Sequence, residues 1–379
     1  MIAEIIMVNK ICHLTSVHPI TDIRIFEKEC SSLAANGFDV TLIACGETAF
    51  EDIKNGVKRI SLFVPVNNRL NRIRQRSKAV YKKALEVDAE IYHFHDPELI
   101  PTGLKLRRKG KKVIYDSHED VPNQILSKEW IPFYLRKIIS LVYAKYERLK
   151  LKKMNALISV TPSLTYRLKK LNPNTIEITN YPLIEEIQPD NRKWGKSICF
   201  TGGGIAKQWM HANVIKALDS TDGITYEIAG NIDEAYFREL AKLKSWSKVN
   251  LIGKIPFNQV RTFISNSSVG IALNDYNANV GFKMGSLGNT KLFEYMQAGT
   301  PVICTDFILW KEIIEKYNCG ICVNPRDISE ISNAIQYLFY NPKIAKKMGN
   351  NGRNAINNSL NWRSQEIKLI KLYNILIES

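Results

Sequence analysis

The chain has 379 residues, enough for two domains of roughly 150–200 residues each, and its 45% hydrophobic and 24% charged content excludes a disordered, collagen-like or disulfide-scaffold protein. The formal charge is +16, and 30 of the 53 basic residues but only 19 of the 37 acidic ones precede position 181, so an anionic partner is expected to meet the first half. No apolar run reaches the roughly 18 residues that a membrane span needs, and the opening residues lack the pattern of a secretion signal.

In chain order, short apolar β-rich runs at 11–14, 40–44, 91–94, 113–115 and 156–160 predict strands, separated by longer stretches of helical period. That alternation predicts a parallel sheet covered by helices on both faces. Basic residues gather at 69–83, 105–112 and 136–153, which reads as a surface field for nucleic acid or anionic lipid. Two prolines interrupt the period at 180–195 and predict an interdomain linker. A second series of strands is expected at 198–201, 226–229, 249–252, 269–273, 302–304 and 320–323, followed by helices alone from 328 to 379. The expected fold class is α/β, with two Rossmann-like doubly wound domains facing across a cleft. The first spans 1–180, a linker 181–196, the second 197–360, and a C-terminal helix 361–379 is free to cross back to the first. Seven cysteines, an odd number set mostly in apolar runs, fit reduced thiols, and Cys319-Gly-Ile-Cys322 reads as buried strand rather than a redox motif.

The segment Thr201-Gly-Gly-Gly-Ile-Ala-Lys207 follows a strand and precedes a helical pattern at 212–218. Its glycines let a backbone approach a phosphate, with a plain tight turn as the alternative. It matches neither the dinucleotide fingerprint nor a Walker loop. A second turn, Gly285-Ser-Leu-Gly-Asn-Thr-Lys291, opens a helix that also carries Glu294. A lysine in a first helical turn opposes the macrodipole, and a bound anion resolves that conflict. The amides of Leu287 to Asn289 are then placed for a diphosphate and Glu294 for a ribose diol; a solvated helix start is the alternative. His118 follows the strand at 113–115, where a cleft is expected, with helix capping as the other reading. Asp96-Pro97 reads as an N-cap with proline in the first helical position. A metal site from His93, His95, Asp96 and His118 is not expected, because the ligand spacings of zinc sites are absent.

The runs Thr290-Lys-Leu-Phe-Glu-Tyr-Met296 and Ala298-Gly-Thr-Pro-Val-Ile303 resemble the donor-site signature of retaining GT-B glycosyltransferases of the family 4 type. Asp22-Ile-Arg-Ile-Phe-Glu-Lys-Glu29, His93-Phe-His-Asp-Pro-Glu-Leu99, Tyr115-Asp-Ser-His-Glu-Asp-Val-Pro122 and Asn361-Trp-Arg363 add matches in the same order, so the resemblance spans nearly the whole chain. It implies the GT-B fold and retaining sugar transfer in the cleft, without cofactor or metal. The nucleotide-sugar donor would lie on the second domain and the acceptor on the first. It implies His118 at the reacting centre and Gly202, Gly203, Gly204 and Lys207 along the diphosphate. Ser286, Leu287, Gly288, Asn289, Thr290, Lys291 and Glu294 would surround the donor, with Glu294 on the ribose. His18, Asp22, Arg24, His95 and Glu119 would lie on the acceptor side. The implied chemistry is front-face displacement, with cations and helix-end amides stabilising the leaving diphosphate.

Three positions depart from the family pattern. Ser286 stands where a glutamate often contacts the donor sugar, and Gly203 and Gln208 stand where an arginine and a second basic residue commonly serve the diphosphate. Lys207 and Lys291 are then left to neutralise it. The resemblance further implies a UDP-sugar, taken ahead of a GDP-sugar on frequency alone, and a lipid-linked glycan acceptor in capsule, O-antigen or exopolysaccharide synthesis. It also implies a cytoplasmic enzyme peripheral to the anionic inner face of the cell membrane. The aromatic and basic stretch 130–145 reads equally as an interfacial helix and as core, and 69–83 is the preferred lipid-facing segment. The alternatives are a GT-B nucleotide-sugar epimerase and a basic nucleic-acid-binding protein, the latter without any recognisable nucleic-acid module.

Overall fold

A computed structural model describes residues 9–128, 130–184, 194–277 and 280–379. Most of the expected linker at 181–196 therefore lies outside the described residues. The chain divides into one unit formed by 1–180 with 362–379 and a second formed by 181–361.

The first unit holds, among its described residues, strands β1 (Lys10–Leu14), β2 (Asp39–Gly46), β3 (Phe50–Lys54), β4 (Val57–Phe63), β5 (Ile91–Phe94), β6 (Lys112–Ser117), β7 (Ala156–Ser159) and β8 (Thr175–Glu177). They are ordered β3-β4-β2-β1-β5-β6-β7-β8, parallel throughout except that β3 runs antiparallel to β4. Strands β3, β4 and β8 have no counterpart among the expected elements. Every residue of β3 is exposed, so no apolar run betrays it, and its charges suit an unpaired sheet edge. The turn joining β3 to β4 is Asn55-Gly56, both with positive φ, the two-residue hairpin signature.

The order of this sheet reverses between β1 and β5, which flank each other in register. In such sheets the carboxyl ends at the reversal are where ligands gather. His13 and His93 are register partners in β1 and β5, and the period of two puts His95 and Asp116 on the same face, one step beyond the paired residues. That face is covered by two helices, the wide π-type turn Ile23–Cys30, capped by Asp22 Oδ1 on the Ile25 N–H at 3.0 Å, and Trp362–Glu378. The latter is anchored by Trp362, whose Nε1 donates to Ser32 Oγ at 2.8 Å.

The second unit holds β9 (Ser197–Ile205), β10 (Thr225–Ile232), β11 (Val249–Gly253), β12 (Val269–Ala272), β13 (Val302–Thr305) and β14 (Gly320–Val323). They form a wholly parallel sheet in the order β11-β10-β9-β12-β13-β14. All six expected strands are present: the central ones are buried on both faces and read as short apolar runs, whereas the edge strand β11 has no fully buried residue and is marked by its apolar residues alone. The order reverses between β9 and β12. The Lys291–Ala298 helix lies against that reversal because Gly270 leaves room for the Tyr295 ring, where a Cβ would sit 2.5 Å from it. Tyr295 then bonds both strands, donating to Ile271 O at 3.2 Å and accepting from the Thr201 N–H at 3.2 Å.

Candidate active site

In the second unit the glycine segment is not a loop before a helix. Gly202 to Gly204 belong to β9, and Gly204 pairs with Asn231 across a bulge at Gly230. The next helix, His211–Ala217, begins only after the short turn Lys207–Trp209, so its amides do not adjoin the glycines as the sequence reading expected. The glycines instead provide a bare strand end: Gly203 has nothing within 4 Å of where a Cβ would stand. Lys207 turns outward to Glu239 at 2.5 Å, with 71% of its side chain exposed.

Of the two lysines expected to share that role, Lys291 is the one that lies beside the glycines. Its Nζ lies 4.0 Å from the centroid of the Trp209 ring and 5.4 Å from that of Phe200, and its Cε is 3.3 Å from the Cβ position of Gly202. Burial lowers its pKa, opposed by the charge of Glu294. Among the described residues no carboxylate makes an ion pair with it. A desolvated cation held between aromatic faces beside a bare glycine strand has the chemistry to receive an anion. Glu294 is half-buried one turn on, and its Oε1 accepts from Thr290 Oγ1 at 2.6 Å. Leu287 is buried, the Gly288 N–H donates to Ser286 Oγ at 3.1 Å, and Asn289 Oδ1 accepts from the Lys291 N–H at 3.2 Å. The Gly288 amide is thus engaged within the turn. Trp209 and Phe200 escaped the sequence reading because an aromatic cradle has no spacing signature.

In the first unit His118 sits on β6's carboxyl edge, with its Nε2 3.1 Å from Asp116 Oδ2. Asp116 is fully buried, and Arg24 grips the same oxygen through Nε at 3.0 Å and Nη2 at 2.9 Å. Burial alone would raise the Asp116 pKa, but Arg24 first and His118 next hold it well below the usual carboxylate range. An Nε2–H on His118 satisfies the ionised Asp116, so Nδ1 is the only one of its nitrogens that can accept a hydrogen bond.

Arg24, expected on the acceptor side, is instead buried under the sheet, where it also donates to Ile178 O at 3.0 Å. A guanidinium this enclosed is held by its carboxylates and is not available to a substrate. His18 does lie beside His118, ring centroids 5.2 Å apart, between Asp22 at 3.5 Å and Asp96 at 3.5 Å. Burial disfavours its charge, but Asp22 and Asp96 outweigh that and raise its pKa, while Asp22 is brought down to about 2 against its own burial, chiefly by His18. Glu119 is exposed and accepts from Gln124 Nε2. Asp96 does not cap its own helix: its Oδ2 accepts from Thr15 Oγ1 at 2.8 Å and the Ser16 N–H at 2.6 Å, pinning the loop after β1. His95 is fully enclosed, 3.1 Å from His13 and 3.5 Å from Asp116, and burial brings its pKa down to about 4. Asp116 and His13 were missed because only the register between strands puts them beside His95.

The surface also differs from expectation. Arg72 pairs with Glu98 at 2.9 Å and Arg76 donates to Ser16 O at 3.2 Å, so part of the 69–83 charge is used within the unit. The helix Phe133–Leu151 exposes an apolar face, with Phe133 at 85%, Tyr134 at 74% and Val142 at 65% exposure, and Trp130 just before it is 65% exposed. No described helix is long and apolar enough to cross a membrane.

Residues 184–355 match the family described as glycosyl transferases group 1, and residues 27–179 match glycosyltransferase family 4. A search of curated proteins finds no match. In structure the chain is similar to sucrose-phosphate synthase from Thermosynechococcus elongatus, with TM-score 0.76 and 16% identity over 98% of this chain and 99% of that one. It is similar to WaaG, a glycosyltransferase involved in lipopolysaccharide biosynthesis, with TM-score 0.69 and 15% identity over 96% of this chain and 99% of that one. It is also similar to Anabaena HepE in complex with UDP and glucose, with TM-score 0.69 and 12% identity over 97% of this chain and 99% of that one.

Proposed function

From the premise that this chain belongs to the GT-B glycosyltransferases of the family 4 type, we propose that it moves a sugar, with retention, from a nucleotide-sugar on the second unit to a hydroxyl of a lipid-linked glycan on the first. The observation that carries the donor half is Lys291, a desolvated ammonium beside the bare strand Gly202–Gly204. A diphosphate is the anion that suits it: the glycines permit close backbone approach, Lys291 neutralises a phosphate oxygen, and the start of the Lys291–Ala298 helix adds its partial positive charge. Glu294, one turn along, is placed for the ribose.

As the glycosidic bond to the leaving phosphate breaks, negative charge grows on that oxygen, and a cation already desolvated there stabilises it more than one in water. His118 serves the sugar and acceptor through Nδ1, its Nε2 being committed to Asp116. This reading asks no divalent ion of the diphosphate. UDP in the HepE complex supports a uridine donor, and the exposed aromatic face at Trp130 to Val142, flanked by Arg136, Lys137 and Lys145, supports attachment to an anionic membrane surface where a lipid-linked acceptor resides. Calorimetric titration with UDP, GDP and dTDP, in EDTA and at two salt concentrations, tests the reading. Micromolar binding of one nucleotide, indifferent to EDTA, is expected; no binding of any of the three would overturn it.

A further inference from the structure

Beneath the rim that holds His118, four side chains from three separate stretches converge in the interior of the first unit. They are His13 on β1, His93 and His95 on and just after β5, and Glu29 on the Ile23–Cys30 helix, all essentially without solvent exposure. Glu29 Oε2 is 3.9 Å from His13 Nδ1, 3.9 Å from His93 Nδ1 and 3.9 Å from His95 Nε2. His13 Nδ1 and His95 Nε2 are 3.1 Å apart. Neither oxygen of Glu29 has a hydrogen-bond partner; Arg24 Nη2 approaches Oε1 to 3.2 Å, but Arg24 directs its hydrogen bonds to Asp116 and Ile178 O. An enclosed carboxylate that has Arg24 beside it but accepts no hydrogen bond on either oxygen is costly to keep. Three imidazole nitrogens stand at equal distance from it, none close enough to bond, so the four donor atoms cluster without satisfying one another.

We propose that His13 Nδ1, His93 Nδ1, His95 Nε2 and a Glu29 carboxylate oxygen hold one divalent ion of the zinc class in a closed, structural site. Zinc bonds of about 2.0–2.2 Å to nitrogen and oxygen put tetrahedral ligands roughly 3.4 Å apart, and the donor atoms here all lie within 4.8 Å of one another. Three imidazoles and one carboxylate is a borderline-soft set that suits zinc and its neighbours rather than magnesium or calcium. The outer contacts fit as well. With His95 Nε2 as ligand, Nδ1–H faces Asp116 Oδ2 at 3.5 Å, and with His13 Nδ1 as ligand, Nε2–H faces Tyr373 Oη at 3.0 Å. The ion displaces two contacts: the His13–His95 approach and the 2.8 Å contact between His93 Nδ1 and Tyr373. His93 Nε2 has no partner in either case. Arg24 and Glu29, five apart, lie one π-type turn apart, which is how both reach the sheet. The ion would tie β1, β5 and the Ile23–Cys30 helix together, and through Tyr373 it would reach the C-terminal helix. The site is enclosed beneath His118, whose Nε2 lies 3.4 Å from His95 Nδ1, and its burial keeps a chelator from stripping the ion on the time scale of an assay.

The test uses the full chain, produced without a polyhistidine tag and washed with chelator. Mass-spectrometric metal analysis is expected to find about one zinc-class ion per chain. X-ray absorption at that metal's edge should show four nitrogen and oxygen neighbours with imidazole scattering. Glu29→Gln, which preserves shape, should lower retained metal at least tenfold. Should that variant fail to fold, wild-type protein unfolded in chelator and refolded with or without zinc decides the matter. Refolding that takes up one zinc and raises the melting temperature supports the site. Below about 0.1 ion per chain as purified, with no uptake and no shift on refolding, the site is refuted and the cluster is a neutral hydrogen-bonded core.

Discussion

The Asp116 oxygen that accepts from His118 at 3.1 Å is the same oxygen that Arg24 grips at 2.9 Å. One buried carboxylate therefore both anchors the helix after β1 and dictates which nitrogen of His118 is free. Asp116→Asn leaves the Arg24 guanidinium buried with one carboxylate fewer, and breaking such a pair costs about 3–5 kcal/mol. Urea unfolding should show a loss of that size. His118→Ala touches only the partly exposed end of the network, so it should keep near-wild-type stability while turnover falls about 10²–10⁴-fold at little-changed donor affinity. Equal losses in turnover and affinity would move His118 away from the reacting centre.

Lys291→Met separates binding from folding. Removing a desolvated cation from between Trp209 and Phe200 relieves a burial cost, so the melting temperature should hold or rise. Nucleotide affinity should fall at least about tenfold, or 1.4 kcal/mol. Calorimetry and thermal melts on one preparation read both quantities, and unchanged affinity would remove Lys291 from the donor site.

The proposed membrane attachment would rest on the face led by Phe133, Tyr134 and Ile138. Full burial of one such side chain contributes roughly 1.5–3 kcal/mol, so changing all three to Ser should reduce binding to vesicles containing anionic lipid by well over tenfold. Nucleotide binding should be untouched. Arg74→Gln and Lys78→Gln on the Arg69–Val87 helix should cost less and act mainly at low salt. The reverse ranking would restore the 69–83 segment as the lipid-facing one.

Stability should fall on acidification in part through His211, whose burial, reinforced by the charge of Lys291, takes its pKa down to about 3. Below pH 6.5 the unfolded chain takes up a proton that folded His211 refuses. Its contribution is therefore lost progressively as pH falls from 6.5 towards 3, at up to about 1.36 kcal/mol per pH unit. Urea midpoints at pH 7, 5.5 and 4.5 should converge less steeply in His211→Phe. His18 acts with the opposite sign: its raised pKa gives a contribution that is complete below pH 6.5 and disappears as pH rises through the folded value. His18→Asn should flatten that alkaline loss.

Much of the fold was legible because parallel strands leave short apolar runs, and all six strands of the second unit announce themselves so, the buried central strands and the half-exposed edge strand β11 alike. The exposed edge strand Phe50–Lys54 leaves no run at all, and only the Asn55-Gly56 turn marks it. The same limit governs the sites. Glu294, Lys291 and His118 stand out through motif and position, since their neighbours along the chain carry the signal. Glycines 202–204 were recognised but taken for a loop, because whether three glycines end a strand or leave it depends on pairing with β10.

The sequence by itself determined the α/β class, the division into two units and the family resemblance. The tertiary structure alone decided which lysine faces the glycine strand, that Arg24 serves Asp116 rather than a substrate, and that His13, Glu29, His93 and His95 meet. The physical reason is range. Period and composition act over a few residues, whereas register between β1, β5 and β6 and the docking of a helix across them join positions that lie far apart in the chain, and a charge's role is set by what it meets there.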